Sequence, residues 1–121
     1  MKRVLIVDDV AHIAKIIDKI LTKEGYETAI CHDGHQAIEK LKKEKFDIIV
    51  SDVIMPNKDG FDILNYLEET NLDIKIIMMT GGGVKISAVE TMRAVKDQAN
   101  VVLLKPISKE DLLTAIESVV V

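Results

Sequence analysis

Four positions in the chain place reactive side chains directly after a short apolar run. Asp8 and Asp9 follow the first run, Ser51 and Asp52 the third, Thr80 the fourth, and Lys105 with Pro106 the fifth. If those runs are strands of one parallel sheet, their carboxyl ends share a rim, which is where ligands bind in open sheets of this kind. Three carboxylates, a hydroxyl and an ammonium then converge. Carboxylates packed together repel and raise one another's pKa. A hard divalent cation relieves this, and Mg²⁺ is usually held by one or two carboxylates, phosphate oxygens and retained waters. Three carboxylates, one Mg²⁺ and one ammonium sum to zero charge. Such a site suits a phosphoryl group, its oxygens neutralised by the metal and Lys105. A carboxylate there can also act as nucleophile and become an aspartyl phosphate. Each signal has an ordinary alternative. An Asp pair after a strand is often a helix N-cap, a lone Asp52 an ordinary loop residue, Thr80 before glycines a turn, and Lys-Pro a surface bend. Placement after four different strands is the specific part.

The elements that would position these groups are legible as alternating patterns. Apolar runs at Val4–Val7, Thr28–Cys31, Ile48–Val50, Ile74–Met79 and Val101–Leu104 are short and mostly β-branched, as strands covered on both faces are. Between them, Ile13, Ile16, Ile17 and Ile20 repeat at helical spacing, and Gly25 ends that helix in the manner of a C′ glycine. Ala37, Ile38 and Leu41 mark a second helix, opened after Asp33-Gly34. Phe61, Leu64 and Leu67 mark a third, and Ala88, Val89, Met92 and Val95 another. The last begins at Ser108, with Asp111 in the partner position of a capping box. Five strands alternating strictly with five helices predict an α/β domain with a parallel sheet and helices on both faces.

Composition narrows the function classes. At 121 residues the chain forms one domain, residues 1–121. A net charge of −4 argues against direct nucleic-acid binding, and the mixed run from Lys40 to Lys45 reads as a solvated helix end. One cysteine, Cys31, excludes an internal disulfide and a thiolate zinc site. No signal peptide or membrane-length apolar run is present, which predicts a cytoplasmic protein without a membrane partner. Cys31, Met78 and Met79 read as core residues. His12, His32 and His35 lie outside metal-ligand spacing and read as surface residues.

Over essentially its whole length the sequence resembles a response-regulator receiver domain of two-component signalling. The resemblance rests on Val4-Leu5-Ile6-Val7-Asp8-Asp9, Lys23-Glu24-Gly25-Tyr26, Gly34-His35-Gln36-Ala37, the stretch from Asp52 through Met55-Pro56-Asn57 to Asp59-Gly60, Met79-Thr80 and Leu104-Lys105-Pro106. It implies a flavodoxin-like, doubly wound five-stranded sheet of order 2-1-3-4-5. It implies Asp52 as phosphoacceptor, with Mg²⁺ (or Mn²⁺) held by Asp52, by Asp9 directly, by Asp8 through water and by the backbone carbonyl of Ile54. Thr80 would hydrogen-bond the phosphoryl group, Lys105 would pair with it, and Pro106 would follow a cis peptide bond. The phosphodonor would be a sensor histidine kinase or a histidine phosphotransfer protein, acting on a phosphorylation-controlled binding module rather than an enzyme. An apolar border of Val10, Ala11, Ala14, Pro106 and Ile107 around the acidic rim is the expected kinase-facing surface. The chain ends just past its last helix, which predicts a stand-alone regulator or one domain cut from a longer protein.

The sequence departs from the family pattern in ways that bear on mechanism. Many receivers carry polar side chains two positions beyond the acceptor and two beyond the switch threonine. Here these are Ile54 and Gly82, which cannot orient an attacking water and so predict a long-lived phosphoryl group. The position usually occupied by a switch aromatic is Val102, so movement is expected in Gly81, Gly82 and Gly83, whose backbones are unusually free. Two other functions compete. A Mg²⁺-dependent phosphatase or phosphotransferase would use the same Asp nucleophile, but commonly has a second acid nearby and a cap, both lacking here. An FMN-binding protein needs a hydroxyl-rich phosphate loop and stacking aromatics, whereas the first loop is acidic and aromatics are only 3% of the chain.

Overall fold

The computed structural model describes residues 2–53, 55, 57–81 and 99–120. Five strands, β1 (Arg3–Val7), β2 (Glu27–Cys31), β3 (Ile48–Asp52), β4 (Lys75–Gly81) and β5 (Val101–Lys105), form one parallel sheet of order β2-β1-β3-β4-β5. Four helices are described: α1 (Ala11–Lys23), α2 (Gly34–Lys43), α3 (Gly60–Thr70) and α4 (Lys109–Val119). The fold class and strand order agree with expectation. The helical pattern at Ala88–Val95 lies outside the described residues, so the described helix count is one below the five expected. No described helix is long and apolar enough to cross a membrane.

Alternation along the inner strands splits the core into two layers. Leu5, Val7, Ile49 and Met78 point to one face, where α2 and α3 cover them with Ala37, Leu41, Ile63 and Leu64. Val4, Ile6, Ile48 and Ile77 point to the other, under α1 and α4 with Ala14, Ile17, Leu112 and Ile116. The central strand β3 is buried throughout, including its polar end at Ser51 and Asp52. Cys31, Met78 and Met79 are core residues, and the three histidines are exposed, as read from sequence.

Helix ends follow local chemistry. Gly25 has φ +93°, and the N–H groups of Gly25 and Tyr26 donate to the Thr22 and Leu21 carbonyls at 3.1 Å, closing α1 with a Schellman motif. At α4 the Ser108 hydroxyl accepts the Asp111 N–H at 3.0 Å, the first half of the expected box. The complete capping box sits at α3, where Asp59 accepts N–H groups of Phe61 and Asp62 while Asp62 accepts the Asp59 N–H. The Asp pair does not cap α1 directly. Val10 is the N-cap residue, and Asp8 Oδ1 accepts its N–H at 2.9 Å.

Candidate functional site

Parallel register delivers the predicted side chains to one rim. Asp8 and Asp9 lie just beyond β1, Asp52 ends β3, and Thr80 lies in β4 opposite Leu104 of β5, one residue before Gly81 pairs with Lys105. Asp8, Asp52 and Thr80 are buried, whereas Asp9 is exposed. Carboxylate oxygens of Asp8, Asp9 and Asp52 lie within 4.8 Å of one another. Lys105 Nζ donates to Asp52 Oδ2 at 2.7 Å and to Asp8 Oδ2 at 3.2 Å.

The balance of charge follows from that geometry. Burial pushes the Asp52 carboxyl up to about 6; the Lys105 ammonium pulls it back down, and the Asp8 charge adds to the rise. Burial by itself lowers the Lys105 pKa, but the hydrogen bond and charge of Asp52, helped by Asp8, leave it raised. Three acids against one ammonium leave a net negative, mostly buried cluster of hard oxygen donors. That donor set fits a small divalent cation better than it fits a soft metal.

The surrounding residues hold the acids in place. The Asp8 N–H donates to the Cys31 carbonyl at 3.1 Å, and the Val53 N–H donates to Met79 at 2.9 Å. His32 Nδ1 lies 3.2 Å from the Asp8 carbonyl, a contact that the reading of His32 as a plain surface residue missed. Gly60 packs so closely that a Cβ there would lie 2.8 Å from the Asp52 carbonyl oxygen. Asn57 Nδ2 donates to Asp33 Oδ2 at 2.9 Å, and Gly34 N–H donates to the Lys58 carbonyl at 2.6 Å. Sequence assigns Asp33 only the opening of a helix. Asp33 and Asn57 are turn residues 24 positions apart, a pattern that names no contact.

Other expected residues fall out variously. The Lys105–Pro106 bond is cis. Val102 is half-buried against the layer under α2 and α3. Gly82, Gly83 and Ile54, including its carbonyl, lie outside the described residues. Ala14 needs correction: it is completely buried on the inner face of α1, against the sheet, and cannot line a docking border. Val10, Ala11 and Pro106 are exposed and Ile107 is half-buried. They continue into an apolar groove of about 420 Å³ between α1 and α4, lined by Ile13, Ile16, Ile20, Pro106, Ile107 and Leu112.

Comparison with known proteins places this arrangement. Residues 4–117 match the response regulator receiver domain. The chain is 34% identical over 119 residues to the chemotaxis protein CheY of Thermotoga maritima, covering 98% of this chain and 97% of that protein. It is 38% identical over 112 residues to the two-component response regulator ORR26 of Oryza sativa subsp. japonica, covering 91% of this chain but only 19% of that longer protein. The chain thus spans nearly all of some relatives and about a fifth of others. Among solved structures, the chemotaxis protein CheY4 of Vibrio cholerae superposes with a TM-score of 0.83 at 31% identity, over 99% of both chains.

Proposed function

Since the chain belongs to the response-regulator receiver family, a phosphorylation-controlled module of two-component signalling, we propose that Asp52 is its phosphoacceptor. The observation that carries this is a buried carboxylate at the end of the central strand, hydrogen-bonded to Lys105 at 2.7 Å beside two further acids. Receivers take phosphoryl groups from histidine kinases or phosphotransfer proteins, and we assign this chain a phosphohistidine donor of that kind. An Asp52 carboxylate oxygen forms the new O–P bond as the N–P bond breaks, and the bonding pair leaves with the imidazole. Only the ionised carboxylate can attack, so a pKa near 6 leaves most Asp52 competent at pH 7.

Asp8, Asp9 and Asp52 are the residues we assign to hold Mg²⁺ or Mn²⁺, with the Ile54 carbonyl as a further ligand. When bound, the metal neutralises phosphoryl oxygens and screens the acids from one another. Lys105 keeps an ammonium at the acceptor oxygen, where it meets the incoming charge. Thr80, buried on β4 with its backbone beside Leu104, is placed to follow the phosphoryl group, and Val102 offers no aromatic ring to follow it in turn. The phosphatase reading is not favoured by the family match. We place the protein in the cytoplasm, in keeping with a single cysteine, Cys31, that is free.

Incubation with acetyl phosphate and Mg²⁺ followed by intact-mass measurement tests the assignment: one phosphoryl adduct is expected. The groove at Ile16 and Ile107 is the proposed kinase contact, with Ile16 exposed at 45% in place of the inward-facing Ala14. Ile16→Glu is expected to slow transfer from the cognate kinase at least about tenfold, the scale of a lost apolar anchor, while acetyl phosphate labelling holds. Loss of both together would argue against a docking role.

A further inference from the structure

We propose that the turn between β2 and α2 is a brace that sets the spacing of the metal-binding carboxylates, with Asp33 and Asn57 as its positioning pair. This rests on the reading of Asp52 and Asp8 given above. One side of the turn grips Asp8: the Cys31 carbonyl accepts its N–H, and the His32 ring lies against its carbonyl. The other side grips the segment that follows Asp52. Gly34 N–H donates to the Lys58 carbonyl at 2.6 Å, and the Asn57 amide donates to Asp33.

The turn itself is stiffened from within. Asp33 is buried, and its second oxygen accepts the Gln36 N–H at 2.7 Å, while Gln36 Oε1 accepts the His32 N–H at 2.9 Å. A Cβ on Gly34 would lie 2.6 Å from the Lys58 carbonyl carbon, so the two backbones are in direct contact. Asn57 takes the left-handed conformation, φ 64°, that turns its amide toward Asp33. Asn adopts this region more readily than most residues.

The gripped segment transmits position to the acceptor. Its end returns to its start, where Gly60 N–H donates to the Val53 carbonyl at 2.8 Å and the Gly60 Cα packs on the Asp52 carbonyl. Met55 anchors its middle in the core. Asp8 and Asp52 repel, Lys105 and the β1–β3 pairing offset only part of that, and unbraced turns beyond the two strand ends would let the carboxylates spread. A metal would then have to draw them together at the expense of its affinity. The brace prevents that spreading, so it acts on metal affinity before it acts on chemistry.

Asn57→Gly removes the amide and keeps the left-handed backbone comfortable. Mg²⁺ affinity, measured by calorimetry well below the melting temperature, is expected to fall about threefold to tenfold, the range of one ordinary net hydrogen bond, because the lost bond acts on the metal only through carboxylate position. Labelling by acetyl phosphate at saturating Mg²⁺ is expected to stay within about twofold of wild type by the same reasoning. Asn57→Asp sets carboxylate against carboxylate. The exchange Asp33→Asn with Asn57→Asp restores the bond with donor and acceptor reversed and the same net charge, and should recover affinity over the single Asn57→Asp variant. Unchanged affinity in Asn57→Gly, or no recovery in the exchange, overturns the brace. A wild-type protein that takes no phosphoryl adduct overturns instead the reading of Asp52, and the brace with it.

Discussion

The two ends of the sheet carry similar numbers of charges and treat them in opposite ways. At the amino end Arg3 serves several acids at once. Its guanidinium lies 2.7 Å from Glu44 and 3.4 Å from Glu27, donates to the Lys45 carbonyl, and stacks 4.5 Å over the Phe46 ring. Its own N–H donates to Asp47, and Lys40 gives Glu44 a second cation at 2.7 Å. These groups stay in or near water, where ion pairs contribute little and salt screens them. At the carboxyl end one ammonium also faces several acids, but Asp8 and Asp52 are buried and no second cation forms an ion pair with them among the described residues. Acid-to-base ratio alone therefore does not mark a reactive site. What marks it is an imbalance that solvent cannot relieve, because such a cluster gains from a ligand that supplies the missing charge.

The largest expected difference between the ends is in labelling. Asp52→Ala should abolish the acetyl phosphate adduct completely, while Arg3→Met leaves its yield and rate unchanged; an adduct on the Asp52 variant would remove Asp52 from its role. Lys105→Ala should slow labelling roughly a hundredfold, the lower end of losses seen when one charge-stabilising donor is removed. An unaffected rate would make Lys105 a purely structural partner of the acids.

A smaller effect separates the ends by pH. The folded-state pKa of Asp52, about 6, lies above the ordinary value of 3.8, so the native chain binds a proton that the unfolded chain has released. In metal-free protein, stability should therefore fall as pH rises through 4 to 6, with the whole penalty present above that window. Allowing for screening, the penalty is about 1–2 kcal/mol, or roughly 3–8 °C in melting temperature for a domain of this size. Asp52→Asn should flatten that window. Asp33 runs the other way: the Gln36 N–H, with the Asn57 amide, holds its carboxyl low, so its contribution is lost only at still lower pH. The smallest effect is at the amino end, where Arg3→Met should lower the melting temperature slightly in dilute buffer and less in 0.5 M salt, on the Debye argument. A loss that is indifferent to salt would mean that stacking on Phe46, not charge, is what Arg3 supplies.

Much of this architecture is readable from residue types because the pattern is redundant. Short β-branched runs, helical spacing and turn residues agree on the alternation, and each reactive group follows a different run. The misreadings have physical reasons. Ile16 outranks Ala14 in hydrophobicity, yet Ala14 is the residue against the sheet, because a helix packed closely on a strand favours a small side chain at the centre of contact and leaves larger ones to flank it. The polar side chains of Ser51 and Asp52 make β3 look shorter in sequence than it is, although both are buried in the ladder. The complete capping box at Asp59 and Asp62 is not legible in sequence, because two aspartates beside a turn are common without one. The Asp33–Asn57 bond spans 24 positions between two ordinary turn formers, and only the folded chain shows that the turns touch.

The ion pair between Lys105 and Asp8 joins residues 97 positions apart, and the one to Asp52 spans 53. Contacts so distant along the chain form late, since the intervening loop must be closed before they contribute. As the protein is synthesised, all three acids leave the ribosome long before the lysine that answers them. A molecule halted before its last strand holds the anionic half of the site and lacks the ammonium that pairs with Asp8 and Asp52. With Asp52 assigned as acceptor and Lys105 as its partner, competence to be phosphorylated is tied to completion of the sheet, and an unfinished chain is expected to be a poor acceptor until β5 has docked.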